Sequence, residues 1–158
     1  MENEDPYPPT AALPDHVRAI FRHKPIAFVT TMRPDGRMST NPMAVMLDGD
    51  YVRLSTVTSR RKYRNLLADD RITVCVVAPD NLNRYVEIRG RAVTEPDTGR
   101  TFIDAIARSY MDVERYPFDR PGDERITITV IPEQVSAPSI PLAEDPPFTK
   151  GLQPRTGA

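Results

Sequence analysis

Hydrophobic and β-branched residues fall in short alternating runs through the middle of the chain, interrupted by segments with helical spacing. The first run, Ile26–Met32 (IAFVTTM), stops at the turn signal Pro34-Asp35-Gly36, and RMSTNPMAVML then reaches a second turn at Asp48-Gly49-Asp50. Two hairpins in succession are predicted. A third strand, Tyr51–Val57, places Val52, Leu54 and Thr56 on one face and Tyr51, Arg53 and Ser55 on the other. ITVCVVA is nearly continuous in apolar residues, as a strand in the middle of a sheet would be. In RYVEIRGRAV the residues Val86, Ile88, Gly90 and Ala92 alternate with Tyr85, Glu87, Arg89 and Arg91, and Gly90 marks a bulge or a barrel corner. RITITVI is the last strand.

Three segments read as helices. Pro14-Asp15 opens a short one with Val17, Ile20 and Phe21 at helical spacing. SRRKYRNLLADD forms a second, with Ser59 as N-cap and Tyr63, Leu66 and Leu67 as its apolar face. Residues 97–111 put Phe102, Ile103, Ile106, Ala107, Tyr110 and Met111 on the face of a third. Six strands at short spacing with flanking helices predict a mainly-β fold, a six-stranded antiparallel barrel with helices packed on it. The turns between the early strands are too short for the crossovers that a parallel sheet needs.

Proline divides the chain. Four prolines fall in the first 14 residues and six in the last 27, and these ends lack apolar periodicity. The organisation expected is an N-terminal arm over 1–13, one folded domain over 14–135 and a Pro-rich arm over 136–158. At 158 residues the chain can bury one sizeable core without a disulfide or metal staple. Its lone Cys75, the absence of a basic leader and the absence of a long apolar run predict a reduced, cytoplasmic protein that does not enter the membrane. A net charge of -1 gives no general attraction to nucleic acid or to an anionic membrane, so an anionic ligand has to be met by a local group of cations.

Familiar chemical motifs are missing: there is no glycine-rich phosphate loop, no nucleophile elbow, and no Cys or His pair at metal-ligand spacing. His16 and His23 read as surface or capping residues, and Cys75 as a small side chain inside a strand. No metal is expected and no catalytic residue is assigned. Reactivity, if the chain is an enzyme, would come from a bound cofactor.

The unusual segment is 56–67, TVTSRRKYRNLL. Arg60, Arg61 and Lys62 fall at the start of the second helix, where the backbone dipole already presents about half a positive charge and each further cation costs a few tenths of a kcal/mol. A bound anion reverses that sign, because unpaired N–H groups, the dipole and the side-chain charges then meet the same ligand. A solvated basic face, relieved by Asp69 or Asp70, is the alternative. Asn41-Pro42, which removes a ladder hydrogen bond from the second strand, reads as a sheet edge or a place where backbone faces a ligand. Arg89 and Arg91 read as solvated arginines.

With these elements in place, FVTTMRPDGRMSTNPM, LST with SRRKYRNLLADDRITVCVV, DNLNRYVEIRGRAV and YPFDRPGDERITITVIPEQV together resemble the split-barrel flavin and deazaflavin oxidoreductases, relatives of pyridoxamine 5'-phosphate oxidase. The resemblance runs from about Ile20 to Val135 and is nearest to the actinobacterial branch that uses coenzyme F420. It implies a homodimer with cofactor sites in the grooves between subunits. It implies that Ser59, Arg60 and Lys62 hold the cofactor phosphate, approached by Ser55, Thr56 and Thr58, and that Asn41, Pro42, Met43 and Ala44 line the flat face of the ring system. Arg61, Arg64 and Lys24 are candidates for the anionic tail of that coenzyme. Relatives often carry a large aromatic near the Pro42 step; Ala44 opens the pocket here. The implied reaction is hydride transfer between the deazaflavin and an electron-poor double bond of a small molecule, with Tyr63 and Tyr85 as the only phenols considered for a proton. An FMN-dependent oxidase of the same fold and a non-catalytic cofactor carrier are the alternatives.

Overall fold

A computed structural model describes residues 10–137. Of the two arms, residues 1–9 and 138–158 lie outside the described residues. The chain forms α1 (Asp15–Arg18), continued by a 3-10 turn at Ala19–His23, then β1 (Ile26–Met32), β2 (Met38–Ala44), β3 (Met46–Asp48), β4 (Tyr51–Val57), α2 (Arg61–Ala68), β5 (Arg71–Ala78), β6 (Asn81–Pro96), α3 (Thr101–Met111) and β7 (Arg125–Ser136). All strand pairs are antiparallel, in the order β2-β1-β5-β6-β7-β4-β3.

Seven strands stand where six were expected, because the second run divides at Val45. Its first part pairs with β1 and its second with β4, so the two halves occupy opposite edges of the sheet. One buried residue therefore joins the two edges, and the sheet must curl into an open barrel to let it do so. Tyr110 of α3 serves the backbone at this seam. Its hydroxyl accepts from the Val45 N–H at 3.2 Å and donates toward the Pro25 carbonyl at 2.7 Å, with the Val45 carbonyl 2.9 Å away. Burial pushes the Tyr110 hydroxyl up in pKa, opposed by its bond to Val45.

Alternation decides the core. Ala27, Val29, Val74, Val76, Val86, Ile88, Val52, Leu54, Ile128 and Val130 all point inward and are buried. β5 is an interior strand, yet its faces differ: Ile72, Val74, Val76 and Ala78 are buried while Thr73, Cys75 and Val77 are half-buried. Gly90 sits at a register shift between β6 and β7, where a Cβ would lie 1.9 Å from the Ile131 carbonyl oxygen. Only a residue without a side chain permits that approach. Across the bulge, the Pro132 carbonyl accepts from the N–H groups of Thr10 and Ala11 at 3.0 and 3.2 Å, and Leu13 joins the core.

α2 packs against β1 and β4. Leu66 is buried, Tyr63 packs on the core, and Asn65 donates to the Thr31 hydroxyl at 3.0 Å. Leu67, expected on the apolar face, is instead 63% exposed, because the eight-residue helix turns only two rows of side chains inward. On α3 the buried residues are Ile103, Ile106 and Ala107, and Met111 at its end is 38% exposed.

Candidate functional site

β4 ends both faces in the interior, with Ser55, Thr56 and Val57 all buried. The chain then turns sharply: the Arg60 N–H donates to the Val57 carbonyl at 3.0 Å, and Thr58 bonds Glu124 through its N–H at 3.1 Å and its hydroxyl at 3.4 Å. This turn uses up the residues that sequence favours as a cap. Arg60, in extended conformation, occupies the N-cap position of α2, no side chain caps the helix, and Ser59 does not act as the expected N-cap. The first turn therefore has unpaired N–H groups, no acidic residue, and three cations in sequence.

Among the described residues, Arg60, Arg61, Lys62 and Arg64 form no ion pair. Lys62 is the sharpest case: it is 8% exposed, and its Nζ donates at 2.7 Å to the Asn41 Oδ1 of β2, a neutral amide oxygen. Burial first, and the nearby Arg60 charge second, lower its pKa from 10.5 to about 8. Keeping an ammonium there is costly unless an anion arrives.

Lys62 and Asn41 lie in the wall of a cleft of about 1080 Å³. One side of it carries Asn41, Pro42, Met43 and Ala44 of β2, with Ser59, Arg60, Arg61 and Lys62 at the start of α2; Ser55, Thr56 and Val57 of β4 form its floor. Ten of the thirteen residues that the sequence offers for cofactor contact are brought together here. Thr58 is turned to Glu124, and Arg64 reaches back to the Ser59 carbonyl at 3.4 Å on the exposed side of α2. Neither lines the cleft, and neither do Tyr63 and Tyr85. Lys24 lines a separate recess with Arg18, Phe21 and Tyr110. Pro42 stands on β2, an edge strand, the setting in which proline is tolerated in a sheet.

The opposite wall was not legible from sequence. It is made by Ile103 and Ile106 of α3, by Tyr116, Phe118, Asp119, Arg120 and Asp123 of the loop between α3 and β7, and by Arg125 at the start of β7. The loop is held by charge. Asp119 accepts from Arg125 Nε at 2.9 Å and also from Arg125 Nη2 and Arg100 Nη1, and both Asp119 and Arg125 keep only 11% of their side chains exposed. Bonds from Arg125 hold the Asp119 carboxyl below the usual carboxylate range, against the opposing effect of burial. The Arg125 guanidinium lies 4.6 Å from the Tyr116 ring centroid, and its Nη1 donates to the Ser55 hydroxyl at 3.3 Å. Arg100 further binds Asp104 and the Tyr116 carbonyl.

Several residues weighed from sequence have other settings. Arg89 pairs with Glu87, and Arg91 with Asp70 and Glu133, on the surface. His16 and His23 are exposed. Cys75 is half-buried, and burial, then Glu87, pushes its thiol up, away from nucleophilic use. No group of metal-binding side chains occurs among the described residues, and no helix there is long and apolar enough to cross a membrane.

The profile of the pyridoxamine 5'-phosphate oxidase family matches residues 13–137. Among solved structures, an F420 reductase shares 30% identity with a TM-score of 0.69, covering 78% of this chain and 98% of that one. An FAD-binding protein from Mesorhizobium loti, at 16% identity and a TM-score of 0.56, covers 78% of this chain and 92% of its own. A pyridoxamine 5'-phosphate oxidase-related, FMN-binding protein from Nostoc punctiforme, at 14% identity and 0.50, covers 76% and 77%; these last two share the fold. No curated protein matches. The curled antiparallel sheet that closes at Val45 is thus a split barrel, and the chain belongs to the pyridoxamine 5'-phosphate oxidase family of flavin-dependent oxidoreductases.

Proposed function

We propose that the protein is a coenzyme F420-dependent reductase that moves a hydride between the deazaflavin and an electron-poor double bond of a small organic substrate. The observation that carries this reading is the buried Lys62 ammonium, which faces an amide oxygen and no carboxylate at the uncapped start of α2. A phosphate fits that donor set: it would replace an unfavourable cluster of like charges with charge-assisted hydrogen bonds. Arg60, Ser59 and Arg61 line the same cleft, which supports roles for the first two at the same group and for Arg61 at a further anionic extension. The likeness to an F420 reductase at 30% identity supports this coenzyme over FMN. FMN, which also carries a phosphate, is the second reading, supported by the FMN-binding protein of the same fold.

In this reading the coenzyme supplies the hydride chemistry, and the protein supplies binding, orientation and exclusion of water. Pro42 and Ala44 of β2 border the ring, and the small Ala44 leaves room for substrate above it. The exposed outer face of β1 supports a homodimer. Ile26 is 51% and Phe28 45% exposed, and their cross-strand partners are Ala44 and Pro42 on one side, Val77 and Cys75 on the other. A second copy covering that apolar strip would also close the cleft at its β2 border.

The test is equilibrium titration of the purified protein with F420 and with FMN, with sedimentation velocity on the same samples. The expected result is a dimer that binds F420 more tightly than FMN and, with reduced F420 and a panel of enones, turns over repeatedly. Tighter FMN binding would move the assignment to an FMN enzyme, binding without turnover to a cofactor carrier, and binding of neither would overturn the reading.

A further inference from the structure

Beyond the β2 wall of the cleft lies a second concavity of a different character. The chain from 41 to 47 runs past three places in order: Asn41, bonded to Lys62 at the proposed phosphate end; Pro42 and Ala44, at the proposed ring border; and Val45, Met46 and Leu47, which line a recess of about 410 Å³. α3 makes the same passage. Its residues Ile103 and Ile106 line the cleft, and Ser109 and Tyr110, three and four residues further along that helical face, line the recess. Ala44 and Met46 are two residues apart, about 7 Å of extended chain, so the recess is within reach of a small molecule seated on the ring.

Charge distinguishes the recess. Three cations border it and no acidic residue does. Arg18 is used by the fold: it pairs with Asp50 and donates to the Gly49 carbonyl at 2.7 Å and the Leu13 carbonyl at 3.2 Å. Arg22 and Lys24 form no ion pair among the described residues. Lys24 also stands in the left-handed region (φ 51°, ψ 57°), where the 3-10 turn gives way to β1 and the next carbonyl, that of Pro25, accepts from Tyr110. Glycine or asparagine would occupy that position at lower cost, so what lysine adds there is its charge. The rest of the lining is largely apolar, with Phe21, Met46 and Leu47 half-buried. A coenzyme tail would leave from the phosphate, at the far end of the 41–47 run, so an anionic group that reaches Arg22 and Lys24 has to belong to another molecule. We propose that the substrate carries a carboxylate, joined by a short apolar spacer to its reducible double bond, and that Arg22 and Lys24 bind this carboxylate while the double bond lies against the ring at Ala44. This rests on the function proposed above and names its substrate class. A remote charged group held in this way orients the reacting bond.

The test is steady-state kinetics with reduced F420 and matched pairs of enones, each pair a free acid on a short alkyl spacer and its methyl ester. The wild type is expected to favour the acid in kcat/KM by about 10-fold, a preference that shrinks with added salt. Arg22→Gln and Lys24→Asn, the latter suited to left-handed backbone, should each reduce the acid-to-ester ratio by about 3- to 10-fold, chiefly through KM, and Lys24→Arg should keep it. The ester, turned over by the same samples, corrects for any folding defect. If the wild type treats acid and ester alike, or if the preference survives in the double variant Arg22→Gln/Lys24→Asn, the inference falls while the proposed function stands. It falls in the same way if Lys24→Asn weakens binding of F420 itself, which would give Lys24 to the coenzyme. Turnover of no acceptor with F420 would instead remove the function, and the inference with it.

Discussion

The two walls of the cleft carry cations under opposite conditions. On the β7 side, Arg125 and Arg100 are fixed by Asp119 and Asp104, and one of them stacks on Tyr116. At the start of α2, Arg60, Arg61 and Lys62 form no ion pair among the described residues, and the helix dipole adds to their repulsion. The first group contributes to the folded state of the protein alone; the second costs stability until something negative binds. Cations that hold a fold together are paired with carboxylates within the chain, and cations that await a ligand are left without that pairing.

The largest effect that separates them is on the paired side. Asp119→Asn leaves two largely buried guanidiniums sharing one neutral amide, and it is expected to lower unfolding stability by roughly 3 kcal/mol, with the loop between α3 and β7 loosened. Denaturant unfolding of the ligand-free protein measures it. The sign with pH follows from the lowered Asp119 pKa. Its contribution is fully present above the unfolded-state value of about 4 and is lost as pH falls through the lower folded-state value, so wild type and variant converge in acid. A stability unchanged at pH 7 would mean that the paired wall is as dispensable as a surface ion pair.

A smaller effect, with two signs, belongs to the other wall. Lys62→Met removes a buried charge and keeps an apolar stem, so the ligand-free protein should gain about 1 kcal/mol, or roughly 2–4 °C in unfolding temperature. The same variant should lose about 1–3 kcal/mol of affinity for a phosphate-bearing coenzyme. With the Lys62 pKa lowered to about 8, the penalty in the ligand-free wild type is complete below that pH and is relieved as pH rises from there toward 10.5. Coenzyme affinity runs the other way and falls as pH rises through about 8. Loss of both stability and affinity in Lys62→Met would place Lys62 with the structural cations instead.

How much of this was open to reading from residues alone follows from the range of the interactions. Alternation placed Val86, Ile88 and Gly90 inward and Arg89 and Arg91 outward, since period-two patterning is a local property. The break at Val45 was hidden, because MAVML is a continuous apolar run and what divides it is closure of the sheet, secured by a tyrosine 65 residues away. The α2 cations stood out because they violate a local electrostatic rule. Asp119 and Arg125 violate none: the loop around them has no periodicity, and their partners Arg100 and Ser55 are 19 and 70 residues distant. Ser59 was misplaced as a cap for the same kind of reason, since the turn at the end of β4 is held by Glu124, 66 residues on.

The smallest expected effect sharpens the contrast within α2 itself. Arg60 and Arg64 belong to one helical segment four residues apart, and composition alone treats them as equivalent. In the fold they are not: both are exposed, but Arg60 lines the cleft, whereas Arg64 lies outside it and reaches the Ser59 carbonyl. If proximity to the coenzyme matters and total charge does not, Arg60→Ala should reduce affinity by about 1–3 kcal/mol, while Arg64→Ala should change it by a few tenths of a kcal/mol at most, the size of a screened surface interaction. Raising the salt concentration should erase the small Arg64 effect and leave most of the Arg60 effect, because a contact made inside the cleft is screened less than one across solvent. Titrations of the two variants at low and high ionic strength make the comparison. Equal losses that disappear together in salt would show that the start of α2 acts as a diffuse basic surface, without a binding site.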